Sequence, residues 1–393
     1  MEKLTIDWDD RNFEHLREMA GHYRMPEVEF ADDWSYGCSP SYLRELREYW
    51  LNEYDLIAAA SELNRFPHVL TRIDDIDIHA VHVVGEAEGR RPLLLIHGWP
   101  GSFYEFWQVI EPLAFPSRSG GDPSDAFDLV IPSLPGFGFS GKPSSPIGAR
   151  MTARLFDGLM QQLGYQHYRA QGGDWGSAVC TWLALEHSAS LEAIHLSFLL
   201  VQPAAIPETE EEAAWQKART AAQMEFGAYA HLQGTKPASL AYAMKDNPVA
   251  EAAWIVERFH DWADLRERRF EEVFSKDQLL TNIMIYLMND AFISATYYYA
   301  AAISEEVREI PSSHGVHTPT AFTAYPDPRS PPPPRSWVER GYNLVRWREA
   351  PRGGHFAAME EPGYFVEDIR DWAGRRPEAY RTDTAADSPQ TLV

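Results

Sequence analysis

The chain has little cysteine: two residues, Cys38 and Cys180, in 393. That is too few for a disulfide framework, and their separation does not match metal-ligand spacing. A cytoplasmic location is therefore expected, with no metal and no other cofactor. The sequence also lacks a long apolar run. Nothing approaches the roughly eighteen residues of a membrane span, and the opening "MEKLTIDWDD" has no apolar region of the kind a secretory signal needs. Positive charge is scarce: 35 Lys and Arg face 58 Asp and Glu, a net charge of −23. Such a surface repels phosphate backbones and anionic headgroups, so neither nucleic acid nor a membrane is expected as a partner. What is present is 45% hydrophobic, enough for a large core. The length suits one core domain with an insertion or an added arm.

Residues 1–90 read as a mixed arm packing on the core and the cap. "PSYLRELREYWLNEYDLIAAASEL" has helical spacing, and "HVLTRIDDIDIHAVHVV" reads as two strands joined at a turn. From 91 to 203 strands and helices alternate, which implies a mostly parallel sheet with ligands held beyond the strands' C-terminal ends. Residues 204–312 break the alternation and carry helical patterns rich in Ala, Trp and Tyr, read as an inserted cap. Core patterning returns over 313–380, with "HTPTAFTAYP" and "NLVRWREA" as strands. "PDPRSPPPPR" between them reads as a stiff proline-rich connector, and 381–393 as a flexible tail.

One absence carries most of the functional information. "AQGGDWGSAV", residues 170–179, has the form of a strand, a tight glycine turn and a helix start. In one large hydrolase architecture such a turn exposes a nucleophilic serine. Here the central residue is Asp174. Taken alone, Asp174 reads more readily as the cap of the helix that follows. Its context favours a nucleophile. "HGWPGS", residues 97–102, follows the strand "PLLLI". That is where this architecture draws one oxyanion-hole N–H, the other coming from the residue after the nucleophile. Trp99 and Trp175 are the candidate donors, since Pro100 has no N–H. The chain order then asks for an acid and a histidine. His355, in "PRGGHFAAMEEP", follows a glycine pair; Asp327 follows a strand, whereas Glu339 and Glu349 lie in helix or strand patterns. A carboxylate nucleophile suits displacement at an sp³ carbon, with the resulting ester hydrolysed by water that a His–acid pair activates. Epoxides and alkyl halides are the electrophiles this chemistry fits.

The ordered blocks "DWSYG", "LNRFPHVLTRIDDIDIHAVHV", "HGWPGSFYEF", "PSLPGFGFSGKP", "LGYQHYRAQGGDWGS" and "RGGHFAAMEEP" together resemble the microsomal-type epoxide hydrolase family of the α/β-hydrolase superfamily. The resemblance spans nearly the whole chain. It implies an α/β-hydrolase fold with a helical cap and an N-terminal arm. The membrane-anchoring start of the mammalian members is missing, as expected of a soluble bacterial-type member. The resemblance also implies a small-molecule epoxide and water as reactants, and two cap tyrosines that donate hydrogen bonds to the epoxide oxygen. "GAYAHLQGTKP" gives Tyr229, and "ISATYYYAAA" gives Tyr299 by spacing, with Tyr298 as the fallback. The family's acid is often Glu; the matching "YPDP" offers the shorter Asp327. Of the cap tryptophans Trp215, Trp254 and Trp262, most are expected in the core and some along the pocket; Trp254 is assigned as a substrate contact, alongside Tyr298, in a pocket suited to an aromatic or bulky epoxide. Some bacterial members serve natural-product pathways such as enediyne biosynthesis, which sets one expectation for the biological setting. Haloalkane dehalogenase is the alternative enzyme, and a non-catalytic hydrolase-fold binding protein the alternative of another class. Oligomeric state, homo-oligomers included, stays open.

Overall fold

A computed structural model describes residues 1–27, 33–305, 308–311 and 314–374. The expected tail, 381–393, lies outside the described residues.

Among the described residues, nine strands form a single sheet: β1 (Glu2–Leu4), β2 (His68–Ile73), β3 (Ile76–Val83), β4 (Arg91–Ile96), β5 (Phe127–Pro132), β6 (Tyr168–Gly172), β7 (Leu191–Leu196), β8 (Val316–Ala324) and β9 (Tyr342–Glu349). Their spatial order is β1-β2-β3-β5-β4-β6-β7-β8-β9. From β5 to β9 neighbouring strands run parallel, and β1 to β3 extend the sheet in antiparallel fashion. The central strands are apolar on both faces, as in the fully buried Leu93–Ile96, because helices cover the sheet on each side.

The arm is therefore part of the sheet as well as packed on it. Ile73 pairs with Ile76 across a two-residue turn, and Asp74 takes the positive φ of 51° such a turn requires. The arm also reaches the cap. Tyr49 donates to Asp277 at 2.9 Å, and the Tyr54 hydroxyl lies 3.2 Å from that of Thr281. The short β1 has too few residues to show a period in the sequence.

Between β7 and β8 the elements are helical, from Glu210–Phe226 to Phe292–Ser304. Capping chemistry starts several of these helices. Thr209 and Ser275 accept N–H groups of Glu212 and Gln278, and Pro237 and Pro248 occupy first turns.

The sheet register places the site. Ile96 at the end of β4 lies beside Gly172 at the end of β6. The loops that follow, "HGWPGS" and "GGDWG", thus emerge side by side. Their contact is too close for side chains: a Cβ on Gly176 would sit 2.0 Å from the Ile96 carbonyl oxygen. This backbone packing sets the entry angle of the helix Asp174–Glu186. Gly176→Ala should therefore destabilise the fold by at least about 1–3 kcal/mol, a loss that denaturant unfolding would show as a lowered midpoint. An unfolding midpoint equal to wild type would mean that the helix can tilt away from β4.

Candidate active site

Asp174 stands on the turn from β6 into the helix Asp174–Glu186 with φ of 41°, a left-handed conformation rare for residues with a side chain. The side chain does not cap that helix. Its Oδ1 instead accepts the Trp99 N–H at 3.0 Å, across the gap between the two loops. Trp175 follows in the helix's first turn, where main-chain N–H groups lack an intrahelical acceptor. The two candidate donors thus flank the carboxylate.

The Trp99 loop is fixed from below and above. His97 Nε2 accepts the Leu134 N–H at 3.1 Å, so its Nδ1 carries the proton and donates to the Gly98 carbonyl at 2.9 Å. Burial pushes the His97 pKa down to about 4, which keeps this neutral tautomer in place. From the cap, Asn282 donates to the Pro100 carbonyl at 2.9 Å and Tyr286 to that of Gly101 at 2.6 Å. The Trp99–Pro100 bond is cis.

His355 follows β9 and has Asp327, just beyond β8, on its other side. Its Nδ1 is 2.7 Å from Asp327 Oδ2, and its Nε2 is 3.4 Å from Asp174 Oδ2. All three side chains are buried. Asp327 is itself oriented by the N–H groups of Arg329 at 2.8 Å and Ser330 at 3.2 Å. His355 is held by its own N–H on the Trp262 carbonyl at 2.9 Å. Glu360 gathers the N–H groups of Asp264, Gly354 and Phe356 around the same loop. Burial opposes charge on His355, but Asp327 and Asp174 outweigh it and raise the pKa to about 9. Burial likewise works against the Asp174 carboxylate; His355, then Arg329 and the Trp99 N–H, nevertheless hold its pKa below the ordinary value. The resting site is thus an imidazolium between two carboxylates.

Across from Asp174 stand Tyr229 and Tyr299, with ring centroids 5.8 Å apart. The Tyr229 ring stacks on Trp99 at 5.1 Å, and the Tyr299 ring meets Trp99 and Trp175 edge-on at 5.7 and 4.9 Å. Burial raises both phenol pKa values, so both hydroxyls keep their protons at neutral pH. The Tyr299 hydroxyl is buried and faces that of Tyr229, with which it interacts. Tyr298, one residue earlier and so about 100° around the helix, turns elsewhere. Its hydroxyl donates to Thr152 at 2.9 Å, and it lines a separate cavity with Pro135 and Tyr297.

Trp254 also lies apart from the cavity beside Asp174. Its indole donates to Gln233 at 3.0 Å. It precedes Trp262 by two turns of the same helix, about 12 Å along the axis. Trp262 is the cap tryptophan that reaches the site, with its ring 4.8 Å from His355 and 5.2 Å from Tyr229.

Arg329 was not anticipated from the sequence, because it lies in the segment that reads as a connector. Its Nη2 donates to the Tyr229 hydroxyl at 2.6 Å, and its Nη1 is 4.0 Å from Asp174 Oδ2. The guanidinium lies 4.6 Å from the Trp262 ring centroid and 5.4 Å from that of Phe198. Glu105 was missed as well. Half-buried against the Trp99 loop, it has its pKa pushed up to about 8 by desolvation. The block "HGWPGSFYEF" contains it, but only the fold shows that it faces inward.

Comparison with known proteins fits this arrangement. Residues 1–106 match the model for the epoxide hydrolase N terminus, and residues 91–362 that for the alpha/beta hydrolase fold. The chain is 41% identical over 366 residues to a Stigmatella aurantiaca protein whose name includes the words epoxide hydrolase; the match covers 91% of this chain and 81% of that one. It is 33% identical to epoxide hydrolase 1 of Sus scrofa, covering 94% of this chain and 88% of that protein. Among solved structures it superposes on the juvenile hormone epoxide hydrolase of the silkworm Bombyx mori with a TM-score of 0.85, at 27% identity, over 97% and 94% of the two chains. Alignment at this identity over this span shows that the chain belongs to the microsomal-type epoxide hydrolases of the α/β-hydrolase superfamily.

Proposed function

We propose that this enzyme opens an epoxide through an alkyl ester on Asp174, and that the observation carrying this reading is the division of labour between the two carboxylate oxygens. Oδ1 is held by the Trp99 N–H, while Oδ2 faces His355. Oδ2 attacks an epoxide carbon and the ring C–O bond breaks. The departing oxygen, still attached to its carbon, takes a proton from Tyr229 or Tyr299. Oδ1 becomes the ester carbonyl oxygen, already in the oxyanion hole.

The charges then set the order of events. Esterification removes the negative charge on Asp174 that helps keep His355 protonated. The imidazole pKa falls, and its proton is released as the tyrosinate left by ring opening takes one up, so the phenol is restored. Neutral His355, oriented by Asp327, takes a proton from water. Hydroxide adds to the ester carbonyl carbon, and the oxyanion is met by the Trp99 and Trp175 N–H groups. Collapse breaks the acyl C–O bond; the departing oxygen takes the proton of the newly formed carboxyl group, which releases the vicinal diol and restores the Asp174 carboxylate beside the His355 cation. Arg329 donates to the Tyr229 oxygen, which leaves the phenol O–H directed to the epoxide and stabilises charge developing on that oxygen. Phe198, Phe226 and Trp175 line the cavity beside Asp174 and favour an epoxide with an aromatic or bulky apolar body.

Asp174→Ala should abolish diol formation with the fold retained. Even a tenth of wild-type turnover, a loss of only about 1.4 kcal/mol of transition-state stabilisation, would show that Asp174 is not the nucleophile. His355→Gln should accumulate a covalent adduct on Asp174, visible by intact mass. In a single wild-type turnover in ¹⁸O-water the first diol should be unlabelled, with the label entering Asp174. A labelled first diol would mean direct attack by water.

The raised His355 pKa also has a sign for stability. A group whose pKa is higher in the folded state stabilises it fully below the unfolded pKa of about 6.5, and that contribution is lost as pH rises through about 9. Between pH 6.5 and 9.5 the wild-type melting temperature should therefore fall more than that of His355→Gln. Parallel pH profiles would show that the imidazole is not charged in the resting enzyme.

Tyr229→Phe and Tyr299→Phe should each slow ester formation by roughly 10²-fold or less while leaving ester hydrolysis intact, because one phenol remains. Rapid-quench detection of the adduct separates the two steps. A variant that stalls at the adduct would place its tyrosine in the second step.

A further inference from the structure

The cavity beside Asp174 carries more positive charge than the reaction uses. Three guanidinium groups line it, each from a different part of the chain: Arg219 on the cap helix Glu210–Phe226, Arg308 after the helix Phe292–Ser304, and Arg329 on the loop after β8. Among the described residues, Asp174 is the one carboxylate in that lining. Within the catalytic group the charges balance, since Asp174 and Asp327 face the His355 cation and Arg329. Arg219 and Arg308 are left over. They make no ion pair with a carboxylate within 4.0 Å among the described residues.

This excess is costly for the empty protein. Burial, then the nearby Arg308 and Arg329, lowers the Arg219 pKa, which registers mutual repulsion among the three. It also runs against the bulk of the molecule, whose charge of −23 would otherwise hold anions away. Surface arginines are ordinarily spread among carboxylates, as Arg335 is with Glu339. Here three converge on one cavity, graded from exposed Arg308 through half-buried Arg219 to Arg329 beside the nucleophile.

We propose that Arg219 and Arg308 bind an anionic group of the substrate, a carboxylate in the simplest case, while the epoxide lies between Asp174 and the tyrosine pair. This inference rests on the reading of Asp174 as the nucleophile and narrows its substrate class to epoxides with an anionic tail. The geometry suits that assignment. The carboxylate docks at the outer arginines, away from the Asp174 charge, and guanidinium groups are the side chains best matched to a carboxylate. Leu199, Ala222 and Phe226, in the same lining, supply apolar surface for the neutral body of the molecule.

The test uses styrene oxides bearing a para carboxylate, acetate or propanoate, each paired with its methyl ester, and styrene oxide itself. Wild type should show, at one or more tether lengths, an acid-to-ester ratio of kcat/KM of about tenfold or more. Added salt should reduce that ratio. The variant Arg219→Met/Arg308→Met should bring it close to one, with its melting temperature recorded to show that it folds. A wild-type ratio at or below one for every tether, or a ratio unchanged in the double variant, overturns the inference while diol formation leaves the Asp174 reading standing. Failure of every compound, styrene oxide included, to give diol or an adduct on Asp174 overturns both.

Discussion

Two carboxylates share one imidazole in the interior, and the rest of the site depends on that arrangement. Buried carboxylates are costly unless paired and hydrogen-bonded. Here both oxygens of each are met: Asp174 by His355 and the Trp99 N–H, Asp327 by His355 and the N–H groups of Arg329 and Ser330. Removing any one partner would leave a buried charge exposed to the low-dielectric interior. The residues that hold the partners are accordingly held themselves. Glu360 and the Trp262 carbonyl fix the His355 loop, while His97, Asn282 and Tyr286 fix the Trp99 loop. Because Asn282 and Tyr286 belong to the cap, the oxyanion loop is a joint between cap and core. Cap movement that broke those two bonds would loosen the donor as well as open the cavity.

Much of this was legible in the sequence, and the reason is local. Asp174, Trp99 and His355 lie in short blocks where glycines force the backbone into tight turns at strand ends, so their place follows from order along the chain. Asp327 follows from the same logic, since it terminates a strand. Tyr229 and Tyr299 came from family resemblance, because nothing local distinguishes Tyr299 from its two tyrosine neighbours. Helix phase separates them: the Tyr298 hydroxyl is spent on Thr152, whereas Tyr299 turns toward Trp99.

The misreadings have a common physical source. Trp254 and Trp262 share a helix and a residue type, and their difference is one of axial position against the core, which no periodicity reveals. "PDPRSPPPPR" reads as a spacer because proline stiffens it. Its stiffness is also what presents Arg329 inward, with Pro331 anchored by the Trp215 indole at 2.8 Å. Composition describes how a segment bends, and the side chains it delivers depend on what it bends around.

Arg329 links the resting charge balance to the reaction. It lies near Asp174 Oδ2 and binds the Tyr229 oxygen, so it touches both the nucleophile and the acid. Before attack it offsets the Asp174 charge. In the proposed mechanism, once that charge has passed into a neutral ester, the same guanidinium faces the tyrosine oxygen that has given up its proton. The cation need not move for its partner to change, because the reaction carries the negative charge from one side of it to the other. A fixed dipole or cation aimed at where charge arrives costs no reorganisation at the moment of reaction. The three rings around Arg329, Trp262, Phe198 and Tyr229, supply that fixity. The aromatic content of the cap therefore serves to immobilise a charge as well as to shape an apolar cavity.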